Sequence, residues 1–146
     1  MAHRSRAYSA SQSAGDMAGE RPEQNLHANG LSIRTEWLED TRTSVVYVTG
    51  KIDWNTSRDL RLEVTRCLAL DHPEQLIVDL EGVDHVDSSG VGTLVETWRN
   101  ANRNSVHLAL CGVNASLRRV LERIGLDSIV DIRATAAMHA NNFTMP

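Results

Sequence analysis

The sequence lacks most of the features that mark secreted, membrane-spanning or disulfide-bonded proteins. It contains only two cysteines among 146 residues, Cys67 and Cys111, and each lies within an apolar pattern that predicts a buried thiol. No apolar run approaches the roughly 20 residues of a membrane-spanning helix, and residues 1–20 carry arginines without the apolar stretch of a secretory signal. We therefore expect a cytoplasmic protein that has no membrane partner and no disulfide framework.

An excess of basic charge is also missing from the chain. The 19 acidic residues outnumber the 15 basic ones and give a formal net charge of −4 at pH 7. No broad cationic surface is then available, which argues against nucleic acid as a partner. The six histidines are scattered instead of standing at the spacing of metal ligands. We expect neither a bound metal nor a cofactor.

Apolar periodicity is absent from both ends of the chain. Residues 1–28 are rich in Ser, Ala, Gln, Gly and Arg, and such a segment buries too little apolar surface to offset the entropy cost of ordering it. We therefore predict a disordered N-terminal tail over residues 1–28 and a C-terminal tail or frayed helix over residues 136–146. The remaining residues, 29–135, are enough for one domain with a single core.

Strand and helix patterns alternate within this domain. Every second residue of 31–37 is apolar or β-branched, which predicts an edge strand with one wet face. The β-branched run at 45–48 follows closely enough to pair with it as a hairpin. Further strands are predicted at 76–80, 106–111 and 129–132.

Three helices are predicted between these strands, from apolar side chains that recur every three or four residues. Asn55 or Thr56 can cap the first helix, and Gly125-Leu126 is a typical end for the third. Helices that cross between strands force parallel pairing, whereas the opening hairpin is antiparallel. The predicted fold is therefore α/β, a small mixed β-sheet with crossover helices that opens with an antiparallel hairpin.

One short motif lies where α/β proteins usually carry their sites, beyond the C-terminal end of a strand. This motif, Asp87-Ser88-Ser89-Gly90, stands between an apolar strand and the second helix. Asp87 or Ser88 can cap that helix, and the two serines offer hydroxyl groups. Gly90 and Gly92 leave space for another chain to come close. These four residues alone are also an ordinary helix start, so the interpretation depends on their surroundings.

With those surroundings, the motif resembles the STAS domain, and specifically the single-domain anti-sigma factor antagonists of bacterial partner-switching systems. The resemblance covers about residues 30 to 135. It depends on the central string, Val78-Asp79-Leu80 leading to residues 86–92, supported by Gly50-Lys51-Ile52-Asp53 and by residues 121–126. The family usually has glutamate where this chain has Lys51. This reversed charge either retunes the choice of kinase or belongs to a solvated surface residue.

The resemblance implies a regulatory protein that has no catalytic residues of its own. By position, Ser88 is the serine that an anti-sigma factor, itself a serine kinase that holds the ATP, would phosphorylate, and Ser89 is the alternative. The implied cycle has the unphosphorylated protein bind the anti-sigma factor and so release the sigma factor for transcription. Phosphorylation abolishes this binding, and a phosphatase is expected to restore it.

The face that meets the partner is predicted from the motif and from one aromatic residue. Asp53 matches an aspartate of the family, although capping of the first helix explains it equally well. Trp37 and Trp98 have the phase of buried positions, whereas Trp54 follows no periodicity and is the better interface candidate. The predicted partner-binding residues are Asp53, Trp54, Asp87, Ser89, Gly90 and Gly92.

Other chemistries fit the sequence less well. A receiver domain needs an acidic pair after its first strand and a lysine after its last, and neither is present. Gly90-Val91-Gly92 lacks the third glycine of a dinucleotide loop. Ser89 lacks the frame of a hydrolase nucleophile, and we interpret His85 as a loop histidine instead of a base. The alternative that remains is a STAS-like module that docks a protein, or binds a small ligand or nucleotide, without being phosphorylated.

Overall fold

The computed structural model describes residues 25–135, which form a six-stranded β-sheet and three α-helices. The strands are β1 (Asn25–Ala28), β2 (Leu31–Leu38), β3 (Thr43–Ile52), β4 (Gln75–Val86), β5 (His107–Cys111) and β6 (Asp131–Arg133). The helices are α1 (Ser57–Asp71), α2 (Ser88–Arg103) and α3 (Ala115–Arg123), and a short 3-10 helix at Leu126–Ser128 precedes β6.

The strands lie in the sheet in the order in which they occur along the chain. β1 and β3 both pair with β2 in antiparallel orientation, whereas β3, β4, β5 and β6 are parallel neighbours. Each parallel pair is joined through a helix, as the crossover rule requires. The predicted mixed sheet with crossover helices and an opening hairpin is therefore confirmed.

Two predictions are wrong: that the domain begins at residue 29, and that the strand at residues 31–37 lies at the edge of the sheet. Asn29 and Gly30 both have positive φ, 55° and 85°, as in the tight hairpin turn that favours an Asn-Gly pair. This turn folds residues 25–28 back onto β2, so they form β1 instead of the end of a tail, and β2 lies inside the sheet. The rest of the predicted tail, residues 1–24, and residues 136–146 lie outside the described part of the chain.

The main core lies between the sheet and the three helices, which all contribute side chains to it. Trp37 is buried and Trp98 packs partly buried against this core, as predicted. A smaller cluster lies on the other face of the sheet and contains Cys111. Both cysteines are buried and neither forms a disulfide bond, which confirms their interpretation as thiols, and burial raises the pKa of Cys111 to about 12. Within residues 25–135 no helix is both long and apolar enough to cross a membrane.

Candidate functional site

The serine loop, residues 87–90, lies at the C-terminal end of β4 and beside the C-terminal end of β3. The last residues of these parallel strands, Ile52 and Val86, are register partners. The backbone N–H of Asp87 then donates to the carbonyl oxygen of Ile52 at 3.1 Å. This pairing brings the loop that follows β3, with Asp53 and Trp54, next to the serine loop.

Asp87 is the residue that caps α2. Its backbone is extended, and its Oδ1 accepts a hydrogen bond from the backbone N–H of Gly90 at 3.0 Å. Of the two caps that the sequence allows, the structure therefore uses Asp87 and leaves the Ser88 hydroxyl out of the cap. Ser88 is exposed and has no side-chain hydrogen bond within residues 25–135, whereas Ser89 is half-buried.

The Asp87 cap leads to a prediction about stability. Asp87→Ala is expected to lower the free energy of unfolding by about 1 kcal/mol, because the N–H of Gly90 loses its acceptor. Asp87→Asn keeps an oxygen at this position and is expected to cost less. Asp84→Ala, which removes an exposed carboxylate near the end of β4, is the matched control. Denaturant unfolding measures all three, and equal losses for Asp84→Ala and Asp87→Ala would contradict the cap.

Asp53 organises the turn between β3 and α1. Its Oδ1 accepts from the backbone N–H of Asn55 at 2.9 Å and of Thr56 at 3.2 Å. Its own N–H donates to the Thr56 hydroxyl at 2.9 Å. Thr56 occupies the N-cap position of α1, as one of the two predicted residues, but its side chain makes no cap hydrogen bond. Asp53 therefore holds the turn that leads into α1, its place on the partner-binding face stays a prediction, and this turn presents Trp54 with 73% of its surface exposed.

The two glycines of the motif have different surroundings. A Cβ on Gly90 would lie 2.6 Å from both the carbonyl oxygen of Ile52 and Cγ1 of Val86. Gly90 is therefore buried under the ends of β3 and β4, and the space it leaves is filled by its own chain, not by a partner as predicted. Gly92 is exposed and a Cβ there would meet nothing within 4 Å. Only Gly92 leaves open surface.

The flank of the site carries Lys51 and His85, which are register partners on β3 and β4. Both side chains are exposed. His85 is part of a strand, so the prediction of a loop histidine is wrong, because pairing with β3 extends β4 as far as Val86. The Lys51 backbone N–H donates to the carbonyl oxygen of Gly30 at 3.2 Å, and the Lys51 side chain is exposed.

Neither Ser88 nor Ser89 has a side-chain hydrogen bond within the described residues, to a base or to any other group. No cluster of three or more His, Cys, Asp or Glu side chains in this part of the chain could hold a metal ion.

Sequence reasoning missed a polar groove beside the serine loop. The groove runs between α1 and α2, and Ser89 lines it but Ser88 does not. Its two arginines, Arg61 and Arg99, come from different helices. Only the packing of α1 against α2 brings them together, so no spacing within the sequence could have revealed them.

Comparisons with known proteins agree on one family. A sequence model of the STAS domain matches residues 34–138, which include the serine loop. The anti-sigma-B factor antagonist of Staphylococcus aureus is 32% identical over 102 residues, which cover 70% of this chain and 94% of that protein. The anti-sigma F factor antagonist of Paenibacillus polymyxa is 27% identical over 102 residues, which cover 70% of this chain and 87% of that protein.

A solved structure agrees in fold. The crystal structure of an anti-sigma factor antagonist from Mycobacterium paratuberculosis superimposes with a TM-score of 0.68 at 24% sequence identity, and the match covers 81% of this chain and 98% of that one. At this identity the likeness concerns the fold alone. Because the family model spans most of the sequence and the mixed sheet has the expected architecture, this chain belongs to the STAS domain family.

Proposed function

We propose that this protein is an anti-sigma factor antagonist and that phosphorylation of Ser88 switches it off. The unphosphorylated protein binds an anti-sigma factor that is also a serine kinase, and so frees a sigma factor for transcription. Phosphorylated, it releases the anti-sigma factor. The names of the relatives from Staphylococcus aureus and Paenibacillus polymyxa support the regulatory class.

The observation that carries the proposal is the state of the Ser88 hydroxyl. Asp87 satisfies the helix cap through Gly90, so Ser88 is exposed at the first position of α2 without a role in holding the fold. A kinase can reach this hydroxyl without unfolding the loop. Ser89 is the second choice, because it is half-buried in the wall of the groove.

The physical basis of the switch is the difference between a hydroxyl and a phosphoryl group at one position. A phosphoserine carries about −1.5 to −2 charges at pH 7. The start of a helix tolerates this charge, because the unpaired N–H groups there favour anions. A partner surface shaped for a neutral hydroxyl would have to accept and desolvate the phosphate beside the Asp87 carboxylate. Binding therefore falls while the fold persists.

Trp54 is the proposed anchor of the partner interface. Large aromatic side chains that lie exposed in a free protein are frequent sources of binding energy in complexes, and Trp54 is the most exposed large hydrophobic residue of the described chain. Asp53 and Asp87 support this face by shaping the turns that present Trp54 and Ser88. Gly92 leaves open surface on α2, and Ser89 completes the contact surface, whereas Gly90 lies buried beneath it.

The partner supplies the catalytic machinery in this proposal. It holds the ATP and the base that takes the proton from the Ser88 hydroxyl as the bond from oxygen to the γ-phosphorus forms. ADP leaves with the electrons of the broken phosphoanhydride bond. A phosphatase restores the serine.

Intact-mass spectrometry tests the phosphorylation directly. Incubation with a cognate anti-sigma kinase and ATP is expected to add about 80 Da to the chain, the mass of one phosphoryl group. The gain should disappear in Ser88→Ala and persist in Ser89→Ala, which is the matched control. A gain that survives Ser88→Ala but disappears in Ser89→Ala would move the site by one residue. No gain with any cognate kinase would favour a docking module that is not phosphorylated.

A further inference from the structure

The groove between α1 and α2 is lined mostly by polar and charged side chains, together with Gly92 and Val95. Its volume is about 530 Å³, and it begins at the serine loop. Beyond it, the Asn100 side chain of α2 donates to the hydroxyl of Thr65 on α1 at 3.4 Å and bridges the two helices. The polar residues that line the groove are Ser57, Arg61, Ser89, Thr93, Glu96 and Arg99.

Two hydroxyl groups in the wall of the groove have no hydrogen-bond partner within residues 25–135. They belong to Ser57, which is 8% exposed, and to Thr93, which is 3% exposed. Neither oxygen is fully enclosed by protein, so both hydroxyls open into the groove and can bind a ligand. Both residues line the groove, so a ligand inside the groove could accept hydrogen bonds from their hydroxyls.

The two arginines of the groove differ in whether they form an ion pair. Arg61 is exposed, and its guanidinium has neither an ion pair nor a hydrogen bond within the described chain. Arg99 donates to the Glu96 carboxylate at 2.9 Å. Arg61 therefore leaves one positive charge without a partner at the groove. Except for Glu96, the polar side chains that line it either carry positive charge or can donate through a hydroxyl.

We infer that this groove is a binding site for a phosphoryl group, such as that of a phosphate monoester. A phosphoryl dianion offers three acceptor oxygens and about two negative charges, which match the unpaired Arg61 guanidinium, the Arg99 guanidinium shared with Glu96, and three hydroxyls. A carboxylate has one charge and two oxygens and would leave donors unsatisfied. The first turns of α1 and α2, which hold Ser57 and Ser89, add favourable potential for an anion. The volume leaves room for the remainder of an ester.

The phosphoryl group could come from a free phosphate ester or from a phosphoserine at position 89, because Ser89 stands in the groove wall. In both cases we expect the Arg61 guanidinium and the hydroxyls of Ser57 and Thr93 to donate hydrogen bonds to the phosphoryl oxygens. The site differs from Ser88, which lies outside the groove. Its existence does not depend on the switch proposed for Ser88.

Titration of the unmodified full chain with inorganic phosphate tests the site, with chloride at equal ionic strength as the reference. Backbone amide NMR signals of Ser57, Ser89 and Thr93 are expected to shift saturably with phosphate and not with chloride. Arg61→Gln should weaken phosphate binding at least about tenfold. Glu96→Gln should strengthen it, because it removes the only acidic group in the groove wall and frees Arg99. Arg118→Gln, an exposed change on α3, is the matched control and should have no effect.

Absence of saturable shifts, or equal binding by Arg61→Gln and the unchanged chain, would overturn the inference. A second titration separates the two sources, using a chain with genetically encoded phosphoserine at position 89. If that phosphoserine occupies the groove, added phosphate no longer shifts the groove signals. If the ligand is a free ester, methyl phosphate binds the unmodified chain at least as tightly as inorganic phosphate does, and phosphoserine at 89 leaves this binding intact.

Discussion

Ser88→Asp is expected to weaken the complex with the anti-sigma partner by about a hundredfold, which corresponds to about 2.7 kcal/mol. The free energy of unfolding should change by less than about 0.5 kcal/mol, because an acidic residue in the first turn of a helix is well tolerated. The two effects separate because Ser88 is exposed and takes no part in the cap that Asp87 provides. The new charge therefore affects contact with the partner and leaves the contacts within the fold unchanged.

The expected hundredfold loss of affinity follows from burying one charge at the interface without a counter-charge. Truncating or mismatching a desolvated charge at an interface commonly costs about 2–5 kcal/mol. The Asp87 carboxylate next to Ser88 adds repulsion instead of compensation. An aspartate carries less charge and fewer oxygens than a phosphoserine, so the phosphorylated chain should bind more weakly still.

Calorimetric titration of each variant against the partner measures the affinity, and denaturant unfolding measures the stability. Ser116→Asp is the matched control, since it also places an acid on an exposed serine in the first turn of a helix, α3. It should leave the affinity unchanged. If Ser88→Asp and Ser116→Asp bind the partner equally well, the electrostatic switch is wrong.

Gly50→Ala is expected to destabilise the fold by about 3 kcal/mol or more. Gly50 has a φ of +104°, in the region that side chains disfavour. A Cβ at this position would overlap the carbonyl oxygen of Gly30, which belongs to the backbone and cannot rotate away. The same oxygen accepts the Lys51 N–H at 3.2 Å, so relief of the overlap would break that bond.

The matched control for this prediction is Gly92→Ala. A Cβ on Gly92 meets nothing within 4 Å, and the residue lies in the helix α2. The change should therefore raise the free energy of unfolding by about 0.5–1 kcal/mol through helix propensity. Chemical denaturation of both variants gives the comparison. A loss below about 1 kcal/mol for Gly50→Ala would contradict the close approach of β3 to the Asn29-Gly30 turn.

Apolar periodicity in the sequence was sufficient to predict the central strands and the helices. It failed where an element depends on pairing instead of on its own apolar pattern. β1 has four residues, and its place depends on the Asn29-Gly30 turn, a signal that sequence reasoning could have used. β4 was predicted at 76–80 but spans Gln75–Val86, because its polar second half is held by hydrogen bonds to β3.

The sequence by itself determined the position and the chemical content of the serine loop, because a capping aspartate, two serines and a glycine between a strand and a helix are all local signals. Only the tertiary structure decided what each residue does there. It uses Asp87 as the cap and leaves Ser88 open, and it fills the space at Gly90 with Ile52. It also joins Arg61 and Arg99 across two helices. The cap joins residues only three apart, but the places of Gly90, Arg61 and Arg99 depend on contacts between segments far apart in the chain, which no local pattern of side chains encodes.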